Sequence, residues 1–245
     1  MEQNTRDPLG DGISKVELLW VKGDDLEVVN DARESMDKEH AEFVQPDDTR
    51  LIEYLASHNP IHWTPFGGSI IKLRLKMPLF LAREWFRHTI GFNRNEVSRR
   101  YVKSEPEFYL PEYYRKAPGK GQTKQGSVDE EHKQSGLFRN WAVSTHSDAA
   151  AKYTFMVDHG VAPEMARMHL PVSMYTEFKE TSSLYALAHL VTLRDHKDAQ
   201  LEIQKYARCV TELVEPYFPV AWPALLRGSK HTCPQCEAEF FDKDV

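Results

Sequence analysis

Apolar and polar positions alternate most regularly at residues 71–77. There Ile71, Leu73, Leu75 and Met77 interleave with Lys72, Arg74 and Lys76. A period of two predicts a half-buried strand. Pro78 stops it and suits the first turn of a helix, predicted from Leu79 to Thr89 with Leu81, Trp85 and His88 near one face. Val16 to Val21 predicts an earlier strand, followed by a turn at Gly23-Asp24-Asp25 and a helix through Ser35 that Asp24 or Asp25 would cap. Asp47 and Asp48 precede Leu51, Ile52 and Leu55, the signature of another capped helix, and Asn59 to Gly68 is a loop.

Gly91 to Arg100 reads as polar and irregular, and Lys116 to Ser127 as a mobile surface loop rather than a domain boundary. Ser127 and Glu130 have capping-box spacing before a long helix ended by Gly160. A short helix lies between Pro163 and Pro171. Another carries Leu184, Leu187, Leu190 and Val191. The last, capped by Asp198, carries Ile203, Tyr206, Ala207, Val210, Leu213 and Val214 inward before Pro216. The fold class expected is α+β: an antiparallel sheet packed with a mostly helical second half.

Charge narrows the chemistry. The 245 residues carry a formal charge of −6. Lys72 to Lys103 holds nine basic and two acidic side chains, a local +7 set in a remainder of −13. An acidic protein with one basic block suits a small anionic ligand better than nucleic acid or an anionic membrane. No apolar run approaches the ~20 residues of a membrane span. The polar first residues lack a signal-peptide core, and three cysteines argue against a secreted disulfide scaffold. The expected compartment is cytoplasmic.

The densest chemistry runs from Arg87 to Tyr101, RHTIGFNRNEVSRRY. Arg87 and His88 suit an anionic or heteroaromatic ligand. Ser98 and Arg100, two apart, would share one side of an extended segment and clamp a phosphate. A solvated basic loop is the plainer alternative. The segment resembles the signature of the flavin-dependent thymidylate synthases: Arg-His-Arg, seven residues, then Ser, with Asn-Glu before it and Arg-Tyr after. Further resemblances follow in family order over roughly residues 16–226. They are VKGDDLEVVNDARES from Val21, His62 to Phe66, GVAPEMARMHLPVSMYT from Gly160, Leu193-Arg194, and Ala199 to Ile203.

The resemblance implies a homotetramer, with active sites shared between chains, that methylates dUMP to dTMP. Methylenetetrahydrofolate would supply the carbon, FAD would carry the hydride and NADPH would reduce the flavin. It assigns Ser35, Thr64, Arg87, His88, His189 and Gln200 to FAD. Glu84, Glu96, Ser98, Arg99, Arg100 and Arg167 go to the nucleotide. Arg194 would face the pyrimidine as the catalytic cation, stabilising charge on the ring as C5 becomes nucleophilic. No cysteine nucleophile is implied. Ser35 and Thr64 also suit turn or cap positions, His189 a satisfied core histidine, and Arg167 a pair with a helix carboxylate.

The sequence departs from the family at named positions. Thr89 replaces the third motif residue, and eight residues precede Ser98, so an extra residue must bulge within Ile90 to Arg94. Arg94 is a candidate to restore the lost charge. Glu84 stands for Gln, Gly67-Gly68 for Glu-His, Asp198 for His, and Ser183 and Tyr185 for Asn and Arg. Glu84, Thr89 and Asp198 motivate, as an alternative, a hydroxymethylase acting on dUMP or dCMP. Residues 1–228 are expected to form the catalytic domain and 229–245 a tail. His231, Cys233 and Cys236 in that tail have zinc-knuckle spacing, with Asp242 a possible fourth ligand. A zinc-containing nucleic-acid module is the remaining alternative, and no metal is assigned to the active site.

Overall fold

The computed structural model describes residues 4–102, 104–119 and 126–228. The Cys233–Cys236 tail and most of the 116–127 loop's centre lie outside them. One antiparallel sheet runs in the order β1 (Thr5–Arg6), β2 (Lys15–Lys22), β3 (Ile70–Pro78), β5 (Tyr175–Ser183), β4 (Phe92–Glu96). The helices are α1 (Asp25–Arg33), α2 (Asp47–Ser57), α3 (Leu79–Trp85), α4 (Ser135–Asp158), α5 (Pro163–Ala166), α6 (Leu184–Arg194), α7 (Leu201–Val214) and α8 (Ala221–Gly228). This is the α+β arrangement expected, with the sheet followed by a helical region.

The alternation at 71–77 does what its period requires. Ile71, Leu73, Leu75 and Met77 are fully buried, and join Val16, Leu18 and Phe178 of the neighbouring strands under α6 and α7. From the helices come Leu184, Leu187, Leu190, Ile203, Tyr206 and Val210. Each such side chain contributes roughly 1.5–3 kcal/mol by leaving water. The opposite face is charged and largely self-paired: Arg74 reaches Glu17 at 3.0 Å and Glu177 at 3.6 Å, and Lys76 reaches Glu107 at 2.5 Å. Part of the basic block is therefore a solvated sheet face.

Several local expectations are corrected. The helix after Pro78 ends at Trp85 rather than Thr89, and residues 92–96 form edge strand β4 instead of an irregular segment. Strand β5 was not expected at all. Its inward positions are Phe178, Glu180 and Ser182, so the apolar alternation is broken. The Ser127–Glu130 capping box does not form, and α4 starts at Ser135. Ser127 Oγ instead accepts from Arg115 Nε at 2.6 Å, while Glu130 pairs with Lys116 at 2.7 Å. Long-range charge outweighs the local cap. Asp198 does not cap α7, whose N-cap is Gln200. Asp24 does cap α1, accepting from Glu27 N.

Asp48 is likewise not the N-cap of α2, which begins after Pro46. It is fully buried, and its carboxylate accepts from Arg33 Nη2 at 2.8 Å, His40 Nδ1 at 2.9 Å and Val44 N at 2.8 Å. Burial alone would raise this carboxyl, but the Val44 N–H, His40 and Arg33 outweigh it and hold it below its ordinary value. Removing one partner of a buried pair strands the rest. Asp48→Ala should therefore destabilise the chain by about 3 kcal/mol, the low end of the range because Arg33 retains some solvent. Thermal or urea unfolding would check this; a loss under ~1 kcal/mol would mean that the network holds little.

Candidate functional site

The motif begins where α3 runs out. Trp85 is fully buried, and its indole N–H donates to both carboxylate oxygens of Glu180, at 3.3 and 3.1 Å. The chain then turns through Gly91, whose φ is +78°. A Cβ there would lie 2.6 Å from that of Ala186 and 3.3 Å from Ser183 Oγ, so both backbone sign and space require glycine. Gly91 O accepts from Ser183 N at 3.2 Å, closing the loop onto the first turn of α6. The segment in which the extra motif residue is expected thus turns at this glycine and leads into β4.

His88 emerges from this turn beside Arg194, the last residue of α6. Arg194 Nε donates to His88 Nε2 at 3.1 Å, Nη1 bonds Glu84 Oε1 at 2.7 Å and Nη2 reaches Glu84 O at 3.3 Å. Because His88 Nε2 accepts, its proton is assigned to Nδ1. Burial, then the charges of Arg194, His189, Arg94 and Arg87, push the imidazole down to about 4. His88 is a neutral donor at neutral pH.

Glu84, Arg87, Arg194, Asp198 and Gln200 line one cleft of about 720 Å³. Its far wall carries Tyr109, Tyr113, Tyr114 and Arg115. Arg115 grips Glu202 of α7 with both nitrogens, at 2.7 and 2.8 Å, and Tyr109 donates to the same carboxylate at 3.2 Å. Nothing in the local pattern around Arg115 marks this tie, because its partner lies 87 residues away.

Glu96, Ser98, Arg99 and Arg167 line a second cleft, of about 620 Å³, beyond the other end of β4. Ser98 and Arg100 are not in an extended segment, which corrects the alternation argument. Ser98 opens a turn in which its Oγ accepts from Arg100 N at 3.3 Å, and Arg100 turns to Glu164 at 3.2 Å. Arg99 donates to the carbonyls of Ser104 and Glu105. Glu96 accepts from Thr176 Oγ1 at 2.6 Å. Arg167 is exposed and forms no ion pair among the described residues, so the helix-carboxylate pairing expected as an alternative is absent there.

The remaining positions follow α6 outward. His189 is exposed, not a core histidine. It lies 6.3 Å from His88, stacks at 16° and 6.3 Å on Tyr185, and Tyr185 meets Trp63 at 6.2 Å. Thr64 is exposed beside Trp63, in a 3-10 turn packed against α1. Ser35 is exposed just after α1, its hydroxyl 3.5 Å from Ala32 O. These residues give a shelf of ring faces with polar donors at its margins. Among the described residues, no group of three or more His, Cys, Asp or Glu side chains is placed to hold a metal. No described helix is long and apolar enough to cross a membrane.

Comparison with known proteins places this geometry. The family model described as "Thymidylate synthase complementing protein" matches residues 17–220. The flavin-dependent thymidylate synthase of Thermus thermophilus is 39% identical over 219 residues, covering 87% of this chain and 77% of that protein. The enzyme of that name from Thermosipho africanus is 37% identical, covering 86% and 90%. The chain belongs to the flavin-dependent thymidylate synthase family. The crystal structure of a UMP/dUMP methylase, PolB, from Streptomyces cacaoi bound with 5-Br dUMP superposes with a TM-score of 0.78. It is 28% identical and covers 87% of this chain and 95% of that one.

Several of the departures from that family have local roles. Glu84 is paired with Arg194. Ser183 caps α6, accepting from Ala186 N at 3.2 Å, and Tyr185 carries the ring shelf. A Cβ on Gly68 would meet Asp31 Oδ2 at 2.3 Å. Arg94 does not return a free charge to the loop, because it is consumed by Glu180. Cys209 is half-buried in α7 and its thiol is pushed up to about 11 by burial, which makes it a poor nucleophile.

Nitrogen NMR of imidazole-labelled enzyme should show His88 neutral, protonated at Nδ1, down to about pH 5. Its folded value lies below the ordinary 6.5, so on acidification the unfolded chain takes the proton first. Stability from this group is complete above 6.5 and is lost as pH falls towards about 4. Arg194→Met should raise the value; a His88 that titrates near 6.5 in the wild type would contradict the assignment.

Proposed function

We propose that this chain methylates dUMP at C5 to give dTMP, with methylenetetrahydrofolate as carbon donor, FAD as resident cofactor and NADPH as reductant. The reading rests on membership of the family, whose curated relatives carry that activity as their name, and on one observation of geometry. A guanidinium, Arg194, is held by Glu84 and a neutral His88 in the lining of a cleft that also presents Arg87. A fixed cation in that cleft stabilises negative charge developing on a pyrimidine ring without reorganising during the reaction.

The donor set suits FAD: ring faces at Trp63, Tyr185 and His189, with Arg87, the His88 Nδ1 proton and the Thr64, Ser35 and Gln200 side chains for its polar parts. When bound, the flavin supplies hydride transfer. The chain's own residues orient the ligands, neutralise phosphate and shield the ring from water. Arg167, with Ser98 and Glu96 in the second cleft, would take the nucleotide's phosphate and sugar. Residues 1–228 would form this catalytic unit.

The two clefts divide the nucleotide set within one chain. This supports an assembly in which the second cleft of one copy faces the first of another. Helix α4 favours the same reading. Over 24 residues it buries only Ser135, Ala149 and Tyr153, while Leu137, Trp141, Val143 and Phe155 are exposed. A run of exposed apolar side chains of that length marks an interface. Light scattering should give the mass of four chains, and Trp141→Glu should lower it; a monodisperse active monomer would exclude shared sites.

Turnover assays read by product mass should show a methyl gain on dUMP and no product from dCMP. An added oxygen on the product would instead support hydroxymethylation. Arg194→Ala should lower turnover at least ~10²-fold while leaving the fold and most FAD binding intact. Undiminished turnover in that variant would remove Arg194 from the reaction.

A further inference from the structure

Arg94, the residue beyond the glycine turn of the lengthened motif, has more contacts than a sheet-edge charge requires. It lies directly opposite Glu180 in the β4–β5 register and its Nε donates to that carboxylate. Glu180 is 1% exposed. Arg94 Nη1 donates to the backbone carbonyl of His88. The guanidinium lies over two rings, with Cζ 4.4 Å from the Phe92 centroid and 5.2 Å from that of Phe86. Phe86 in turn packs edge-on against Phe178 at 4.7 Å. Its remaining nitrogen, Nη2, is buried with no hydrogen-bond partner among the described residues.

His88 is consequently fixed at two points. Its ring is set by Arg194 and its backbone by Arg94, and the second anchor leads through Glu180 to Trp85 at the end of α3. We infer that Arg94 is a positioning residue: from the buried Glu180 it fixes the backbone of His88, and so the direction in which His88 and Arg87 present their donors to the cofactor. The inference rests on the reading that these two residues face FAD. It assigns the extra motif residue a purpose, because the glycine turn brings an arginine back under the histidine instead of leaving one beside it. Lysine could not substitute. A single ammonium can neutralise Glu180 but lacks the planar fork that also reaches the carbonyl and lies over the rings.

The test uses the full chain and two variants. Arg94→Lys keeps the ion pair, and Arg94→Met with Glu180→Gln removes both charges together, so that neither is stranded. Unfolding midpoints, FAD affinity by flavin fluorescence, and kcat and KM are measured on each. Both variants should fold, yet bind FAD about tenfold or more weakly and lose kcat by a similar factor, with the KM for dUMP changed less. FAD binding and kcat within about twofold of wild type in either variant would overturn the inference. Loss of folding in both would assign Arg94 to the fold alone, and would overturn it too. A wild-type chain that does not bind FAD would instead defeat the functional reading, so the two failures are distinguishable.

Discussion

One buried carboxylate governs the geometry of the site. Glu180 sits on the inward face of the sheet, opposite Leu73 on one side and Arg94 on the other. Burial pushes its carboxyl up, against the pull of Arg94 and the Trp85 indole. An ion taken out of water costs several kcal/mol unless its partners are well placed. The chain meets that demand by drawing three segments together: the end of α3, the turn after it and the edge strand. The motif's histidine lies where those segments converge.

The same carboxylate explains what could and could not be read in advance. Strands β2 and β3 and the inner face of α7 were legible because their buried positions are apolar and recur at the right period. Strands β4 and β5 were not. Their inward sets, Phe92-Arg94 and Phe178-Glu180-Ser182, carry polar groups that become acceptable inside only once the strands pair. Neither segment reveals this alone. A similar limit hid the Arg115–Glu202 tie, and it explains why Ser127 and Glu130 do not cap a helix. Local rules expect a cap, and a guanidinium 12 residues upstream takes the serine instead.

The site itself divided along the same line. Residue types along the motif suggested an anionic ligand, and the family resemblance supplied roles. The pairing of Glu84 with Arg194 and the exposure of His189 are set by tertiary packing, not by local pattern. So is the separation of Ser98 and Arg167 from Arg194 into different clefts. The unusual Glu84 places its charge on the arginine, where a neutral amide would leave the cation uncompensated. The departures from the family thus form a connected set: Glu84 on Arg194, Tyr185 on His189 and Ser183 at the start of α6.

Gly91 and Ala186 touch across that start. With the backbone of residue 91 already in a conformation that only glycine adopts freely, the methyl of Ala186 sets how deeply the loop can seat. The size of residue 186 thus limits the turn at Gly91, although nearly a hundred positions separate them. Grafting the long motif onto a helix with a bulkier residue there would lift the histidine away from its arginine.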